Sequence, residues 1–187
     1  MVTSRYSDRE ALKSDIEQRE RELWDLKREL AGLATNEALL PPGEFGVLVC
    51  GVGSWRIAFL AGALDEVVPV ARLDPIPDAP PWVRGLLNLR GARVPVVDLG
   101  VRLEGTSRPV HPDDAILVCS VGNRRVGFQV EHLLGIRRVS REAVEPAPVD
   151  STFSAYVLGV VEIDATCVLV LSTEALLAMS SVPAEWE

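Results

Sequence analysis

The side chains that could carry out catalysis are few and far apart in the sequence. Of the two histidines, His111 lies in the proline-flanked stretch RPVHPDD, which is typical of a surface loop, and His132 stands alone at the start of a predicted strand. Asp113 and Asp114 lie in the same stretch, and we interpret them as part of a solvated turn. GVGS at 51–54 lacks the Lys-Ser/Thr that a phosphate loop needs, and no G-x-S-x-G is present. An enzyme would need a buried polar cluster that the sequence does not reveal, so we expect no catalysis, no metal and no cofactor.

The three cysteines also give no sign of chemistry. Cys50, Cys119 and Cys167 each lie inside an apolar run, and none belongs to a C-x-x-C pair. An odd number of isolated cysteines argues against a disulfide framework. We therefore expect all three to be small, buried core residues.

Composition narrows the class of protein further. With 187 residues and 48% hydrophobic content, the chain suits one globular domain or two small lobes, plus an extension. The 27 acidic against 19 basic residues give a net charge of −8, which disfavours nucleic acid as a partner. No apolar run reaches the roughly 18 to 20 residues of a membrane helix, and the N-terminus lacks an apolar signal core. These features predict a cytoplasmic protein with no direct membrane insertion.

The first 40 residues differ from the rest of the chain. Residues 1–34 are rich in charge and lack proline, Ser7 and Glu10 form a capping-box pattern, and PPG at 41–43 ends any helix. Apolar residues then recur at alternating spacings of four and three, with Arg19 at one step. The seam consists of Leu12, Ile16, Leu23, Leu26, Leu30 and Leu33. The pattern predicts a helix and linker over 1–40, which either forms a coiled coil with itself or a partner or lays its stripe on its own domain.

From residue 41 onward the pattern favours β-strands. Three apolar runs with a Gly-centred turn begin near Gly46, and a similar triplet begins near Ala115. Each triplet is followed by a proline-bearing linker and a further pair of apolar segments, which indicates an internal duplication. We expect a mainly β domain over 41–180, with one small five-stranded barrel for each copy, and a tail over 181–187. The stretch STEALLAM predicts a short closing helix capped by Ser172 or Thr173.

The segment WVRGLLNLRGARVPVVDLG, residues 82–100, has turn residues but almost no reactive side chains. Pro95 removes a backbone donor, so its strand is expected at an edge or a bulge. Asn88 is expected to bond backbone groups at a corner, with Arg90 at the tight turn. Glu66 is the carboxylate best placed to meet Arg90 if their strands are neighbours. The alternative for Arg90 is simple solvation of a turn arginine.

The run APPWVRGLLNLRGARVPVVDL resembles the signature of the CheW-like domain, the adaptor fold of bacterial chemosensory arrays. The matching positions are Gly85, Asn88, Leu89, Arg90, Gly91, Pro95, Asp98 and Leu99. LDEVVPV and VGFQVEHLLGI resemble further segments of the family, so that the likeness covers about Phe45 to Met179. It implies two five-stranded SH3-like barrels side by side without catalytic activity. It also implies that the protein couples chemoreceptor cytoplasmic tips to the regulatory domain of a CheA-type histidine kinase.

The resemblance also implies a partner-binding site. Glu66 and Arg90 match a charged pair of the family, and Val67, Val94 and Val96 match apolar positions near its receptor groove; we add Asn88 at the corner. The helix over 1–40 is not part of a minimal adaptor. The alternative function is therefore a CheW-like platform whose N-terminal helix oligomerises or docks a non-kinase partner.

Overall fold

The computed structural model describes residues 40–106, 108–147 and 155–179 of the chain. Residues 1–39 of the expected helix and linker over 1–40 lie outside the described residues, as does the tail over 181–187. The expected seam of Leu12, Ile16, Leu23, Leu26, Leu30 and Leu33 is therefore also outside them. The described part is mainly β, as the sequence predicts, and contains two five-stranded sheets.

Sheet I has the strand order β8-β1-β2-β10-β9 and sheet II the order β3-β6-β7-β5-β4. The strands of sheet I are β1 (Glu44–Val52), β2 (Trp55–Leu60), β8 (His132–Ser140), β9 (Val157–Ile163) and β10 (Thr166–Leu171). Those of sheet II are β3 (Leu64–Pro69), β4 (Val83–Leu89), β5 (Ala92–Asp98), β6 (Ala115–Val121) and β7 (Arg124–Val130). The predicted hairpin turns at GVGS and at Gly122-Asn123 are confirmed as the β1–β2 and β6–β7 connections.

The assignment of one sheet to each copy of the repeat is wrong. The first triplet sends β1 and β2 to sheet I and β3 to sheet II, while the second sends β6 and β7 to sheet II and β8 back to sheet I. The two halves of the chain are therefore interleaved, because β1 pairs along its length with β8 and β5 runs parallel to β7. Closed barrels are also not observed: within the described residues no ladder joins β8 to β9 or β3 to β4.

The core is built from alternating apolar residues on the inner faces of the sheets. In sheet I, Val47, Val49 and Val168 pack in one buried cluster, and sheet II has its own cluster. Phe59 on β2 and Phe128 on β7 stack across the two sheets with ring centroids 5.8 Å apart. This aromatic pair contributes to holding the sheets together.

Two short helices close strand ends. Helix α1 (Leu99–Glu104) follows β5, and the Asp98 carboxylate caps it by accepting a hydrogen bond from the Val101 amide at 3.0 Å. Helix α2 (Thr173–Met179) follows β10, and the Ser172 hydroxyl accepts from the Ala175 amide at 3.1 Å, which confirms the closing helix with Ser172 as its cap. All helices in the described part of the chain are too short or too polar to cross a bilayer.

Pro95 does not lie on an edge strand, because β5 runs between β4 and β7. The parallel ladder to β7 begins only at Val96, one residue later, so the missing proline donor precedes that ladder. The neighbouring bulge is on β4, between Val83 and Gly85. Gly85 adopts a φ of +141°, and a Cβ there would lie 2.4 Å from the Asp74 carbonyl oxygen, so only glycine fits.

Candidate interaction site

The turn between β4 and β5 presents Arg90 at an exposed corner. Arg90 and Gly91 form a two-residue turn with φ values of +53° and +87°, the left-handed geometry of tight hairpins. The Asn88 side-chain oxygen accepts a hydrogen bond from the Gly91 amide at 3.1 Å, as expected for a residue that bonds the backbone at a corner. The sequence thus predicted the local structure of this corner correctly.

Arg90 forms an ion pair with Glu66, and Nη2 lies 2.9 Å from Oε1. The arginine side chain is 80% exposed and the glutamate side chain 24% exposed. The pairing is as predicted, but the strands are not neighbours: β3 and β4 are the opposite edges of sheet II. The chain after β3 pairs with β4 through an isolated bridge between Asp74 and Leu86, and the Arg90 side chain spans the distance from the end of β4 to Glu66 on β3.

The apolar positions assigned to the partner groove separate into two groups. Val67 on β3 is 41% exposed and flanks Glu66 on an open edge. Val94 and Val96 are fully buried and pack in the core of sheet II, because β5 is an inner strand whose apolar side chains point into the cluster. Their assignment to a contact surface is corrected: they support β5 from within and have no surface to offer a partner.

A second apolar surface was missed by the sequence analysis. On β8, Leu133, Leu134 and Ile136 are 44%, 39% and 66% exposed, and β8 is an edge of sheet I. Ile136 lies close to Gly46 and Ala61. A Cβ built on Gly46 would lie 3.9 Å from Ile136 Cγ2 and 3.4 Å from Ala61 Cβ. Ala61 begins the 3-10 turn that leads into β3. The available signal was the stretch HLLGI, which carries more apolar residues than an edge strand usually exposes.

The interpretation of Asp113 and Asp114 as a solvated turn is wrong for Asp114. Asp114 is 2% exposed and binds Arg108, the His111 amide and the Gln129 side-chain amide, the last two at 3.0 Å. Arg108 also pairs with Glu131 at 2.9 Å. Burial by itself lowers the pKa of Arg108. The hydrogen bonds and charges of Asp114 and Glu131 raise this pKa by more than burial lowers it, so the net shift is upward. The cluster thus anchors the loop before β6 through ion pairs and hydrogen bonds.

This polar cluster does not supply a catalytic set. No serine or cysteine nucleophile takes part in these contacts, and the neighbouring Asp98 is held by Arg84 at 2.5 Å and by the α1 cap. His132 is exposed at the start of β8, apart from these ion pairs. In the described part of the chain no three His, Cys, Asp or Glu side chains are grouped so that they could hold a metal ion.

The cysteines differ in exposure. Cys50 and Cys119 are buried, and burial raises the pKa of each thiol to about 12, with a further contribution from the Asp65 and Glu174 carboxylates for Cys119. Cys167 is exposed, so the expectation of a third core thiol is wrong. It is the second residue of β10, next to the hairpin tip, where the strand has not yet entered the core.

The described residues form two interleaved five-stranded sheets with an exposed, ion-paired corner, the architecture of a β-sheet domain. The family model of the CheW-like domain matches residues 46–181, and the chain belongs to that family. It is therefore a CheW-like scaffold or adaptor of chemotaxis signalling. The members of this family are scaffold proteins and are not known as catalysts.

Individual relatives agree with this assignment. The chain is 28% identical to the chemotaxis protein CheW of Thermotoga maritima over 131 residues, which cover 70% of this chain and 86% of the relative. It is 29% identical to protein FrzA of Myxococcus xanthus over 112 residues, covering 59% and 67%. The crystal structure of scaffolding protein TtCheW from Thermoanaerobacter tengcongensis matches with a TM-score of 0.66 at 23% identity, over 71% of this chain and 87% of that one, which shows the common fold.

Proposed function

We propose that this chain couples the cytoplasmic tips of chemoreceptors to the regulatory domain of a CheA-type histidine kinase, as a non-catalytic adaptor in the cytoplasm. Membership of the CheW-like family supports the proposal at the level of the pathway. The structural observation that carries it is the corner of Arg90 and Glu66, because its features are not explained by the needs of the fold.

Arg90 is an unfavourable residue for the position that it occupies. A non-glycine residue in the left-handed region costs roughly 1–2 kcal/mol, and hairpin turns of this type prefer Asn or Gly. The side chain is 80% exposed, so core packing does not compensate for this cost. Its ion pair with Glu66 is too exposed to offset more than part of it. Backbone strain without a structural reward supports a role in recognition.

Apolar surface lies near the regions that this role needs. Val67 is exposed beside Glu66, and Leu133 and Ile136 are exposed on the free edge of β8. An open strand edge can receive a partner strand through its unpaired backbone groups, and exposed apolar side chains beside it add contact surface. Two such surfaces, one on each sheet, suit an adaptor that must hold two different partners.

We further propose that residues 1–40 form a helix and linker, residues 41–180 the adaptor domain and residues 181–187 a tail. A helix that self-associates would raise the effective concentration of the adaptor at an array. The alternative, a platform whose helix docks a non-kinase partner, is favoured by the same apolar seam in residues 1–40.

Titration calorimetry of the full chain and of a 1–40 deletion, each against a CheA regulatory domain and a receptor tip fragment, separates these functions. The adaptor proposal expects both partners to bind both forms, with self-association lost on deletion. Circular dichroism checks that the deleted form keeps its strands. If neither partner binds the full chain, the adaptor proposal is wrong; if all binding disappears with residues 1–40, the platform is the better description.

A further inference from the structure

Two hairpin tips of sheet II lie at the same end of the sheet. Strands β5 and β7 are parallel neighbours, and each is preceded by a tight turn, so the β4–β5 and β6–β7 turns are brought together. These tips and the residues next to them carry four arginines in a chain whose net charge is −8. The four are Arg90, Arg93, Arg124 and Arg125. The carboxylates that pair with them are Asp65 and Glu66.

An open cavity of about 420 Å³ lies between the two tips. It is lined by Gly91, Ala92, Arg93, Asn123 and Arg125. Its lining includes two guanidinium groups and the Asn123 side-chain amide, and no aromatic ring is among the lining residues. The lining therefore offers hydrogen-bond donors and positive charge.

The two guanidinium groups of this cavity differ in their surroundings. Arg93 is exposed and forms no ion pair with any described residue. Arg125 Nε is buried without a hydrogen-bond acceptor, and Asp65 Oδ2 is 3.8 Å from it. That oxygen already accepts a hydrogen bond from the Ser120 hydroxyl at 2.6 Å. Because Arg125 Nε is enclosed, the exposed Arg93 guanidinium is the group of this cavity that an incoming carboxylate can reach.

We propose that this cavity binds carboxylate side chains from an acidic segment of a partner protein. Guanidinium groups match planar oxyanions in charge and in geometry. The cavity is open and lies on hairpin tips, so a chain can cross it, whereas nothing in its lining would hold the ring of a nucleotide. The site is additional to the pair of Glu66 and Arg90, which stays intact when Arg93 is changed.

The test is a titration of the ¹⁵N-labelled full chain, followed by amide NMR, with three probes. They are a capped penta-glutamate peptide, the matching penta-glutamine peptide and inorganic phosphate. We expect the glutamate peptide alone to shift the amides of Gly91, Ala92 and Asn123. Arg93→Gln should weaken this binding about fivefold, and Arg72→Gln, which removes an exposed arginine outside the cavity, should leave it unchanged.

Ionic strength provides a second measurement on the unmodified chain. Raising the salt from roughly 0.05 M to 0.5 M should abolish the shifts, because exposed charge pairs are screened. The proposal is overturned if the glutamine peptide binds equally well, or if the glutamate peptide causes no shifts at the cavity. Shifts caused by phosphate but not by the peptide would also overturn it, since they would indicate a site for small anions. None of these results depends on whether the kinase or receptor binds.

Discussion

Replacement of Arg90 by alanine should separate binding from stability. The substitution removes the ion pair between Arg90 Nη2 and Glu66 Oε1, 2.9 Å apart, in which the arginine side chain is 80% exposed. Such a pair contributes about 0–1 kcal/mol to folding, and alanine leaves the left-handed backbone cost unchanged. The melting temperature should therefore fall by no more than about 2–4 °C. At the centre of a docking surface, loss of an arginine costs about 2 kcal/mol, or roughly thirtyfold in affinity.

The assay is calorimetric titration of each variant against receptor tip and kinase regulatory domain, with differential scanning calorimetry alongside. Arg72→Ala is the matched control, since it removes the same charge from an exposed position with no ion pair among the described residues. Arg90→Gly sharpens the test, because glycine relieves the turn and should keep or raise stability while still losing affinity. The double swap Arg90→Glu with Glu66→Arg should restore the pair without fully restoring binding. The reasoning is refuted if Arg90→Ala binds both partners as tightly as the parent, or if it unfolds the domain.

Four further predictions concern the fold. At pH 8, Cys167 should react rapidly with a thiol reagent, while Cys50 and Cys119 should react only on unfolding. A pKa of about 12 leaves roughly one of these two thiols in ten thousand as the thiolate. Rapid labelling of all three cysteines would contradict the burial of Cys50 and Cys119. Because these raised pKa values favour the neutral thiols of the folded state, stability should decline as pH rises from about 9 toward 12. In urea denaturation, Gly85→Ala should lower the free energy of unfolding by roughly 3 kcal/mol, whereas Gly122→Ala, whose new methyl group meets open space, should lower it by only about 1 kcal/mol. Equal losses would argue against the close approach of the Asp74 carbonyl to Gly85 at the bulge. If the chain is divided between α1 and β6, neither half should melt cooperatively, because each sheet takes strands from both halves of the chain. A half that melts cooperatively would support the model of one lobe per repeat.

Local features of the fold were accessible from sequence because their causes are local. The turn at Arg90 and Gly91 and the cap at Ser172 depend on residues within a few positions of each other. The predicted pairing of Glu66 with Arg90 is observed, although the condition stated for it, that their strands are neighbours, is not met.

The interleaving of the sheets could not be read from the repeat. The pattern of apolar runs specifies hairpins, yet the pairing of Glu44 with Ser140 joins segments almost a hundred residues apart, and no local signal encodes it. The same limit applies to the burial of Asp114, whose partner Gln129 lies on another strand. Val96 was assigned to the partner groove by the resemblance, and its burial follows from the position of β5 between β4 and β7, which no local signal encodes.

The most direct test of the central claim is co-sedimentation of a CheA-type kinase with membranes that contain chemoreceptors, with and without this chain. We expect the kinase to sediment with the membranes only when the full chain is present, and Arg90→Ala to reduce the recovered kinase strongly at equal amounts of folded protein. If the chain itself does not sediment with the receptors, or if the kinase recovered is the same without it, the adaptor function is contradicted.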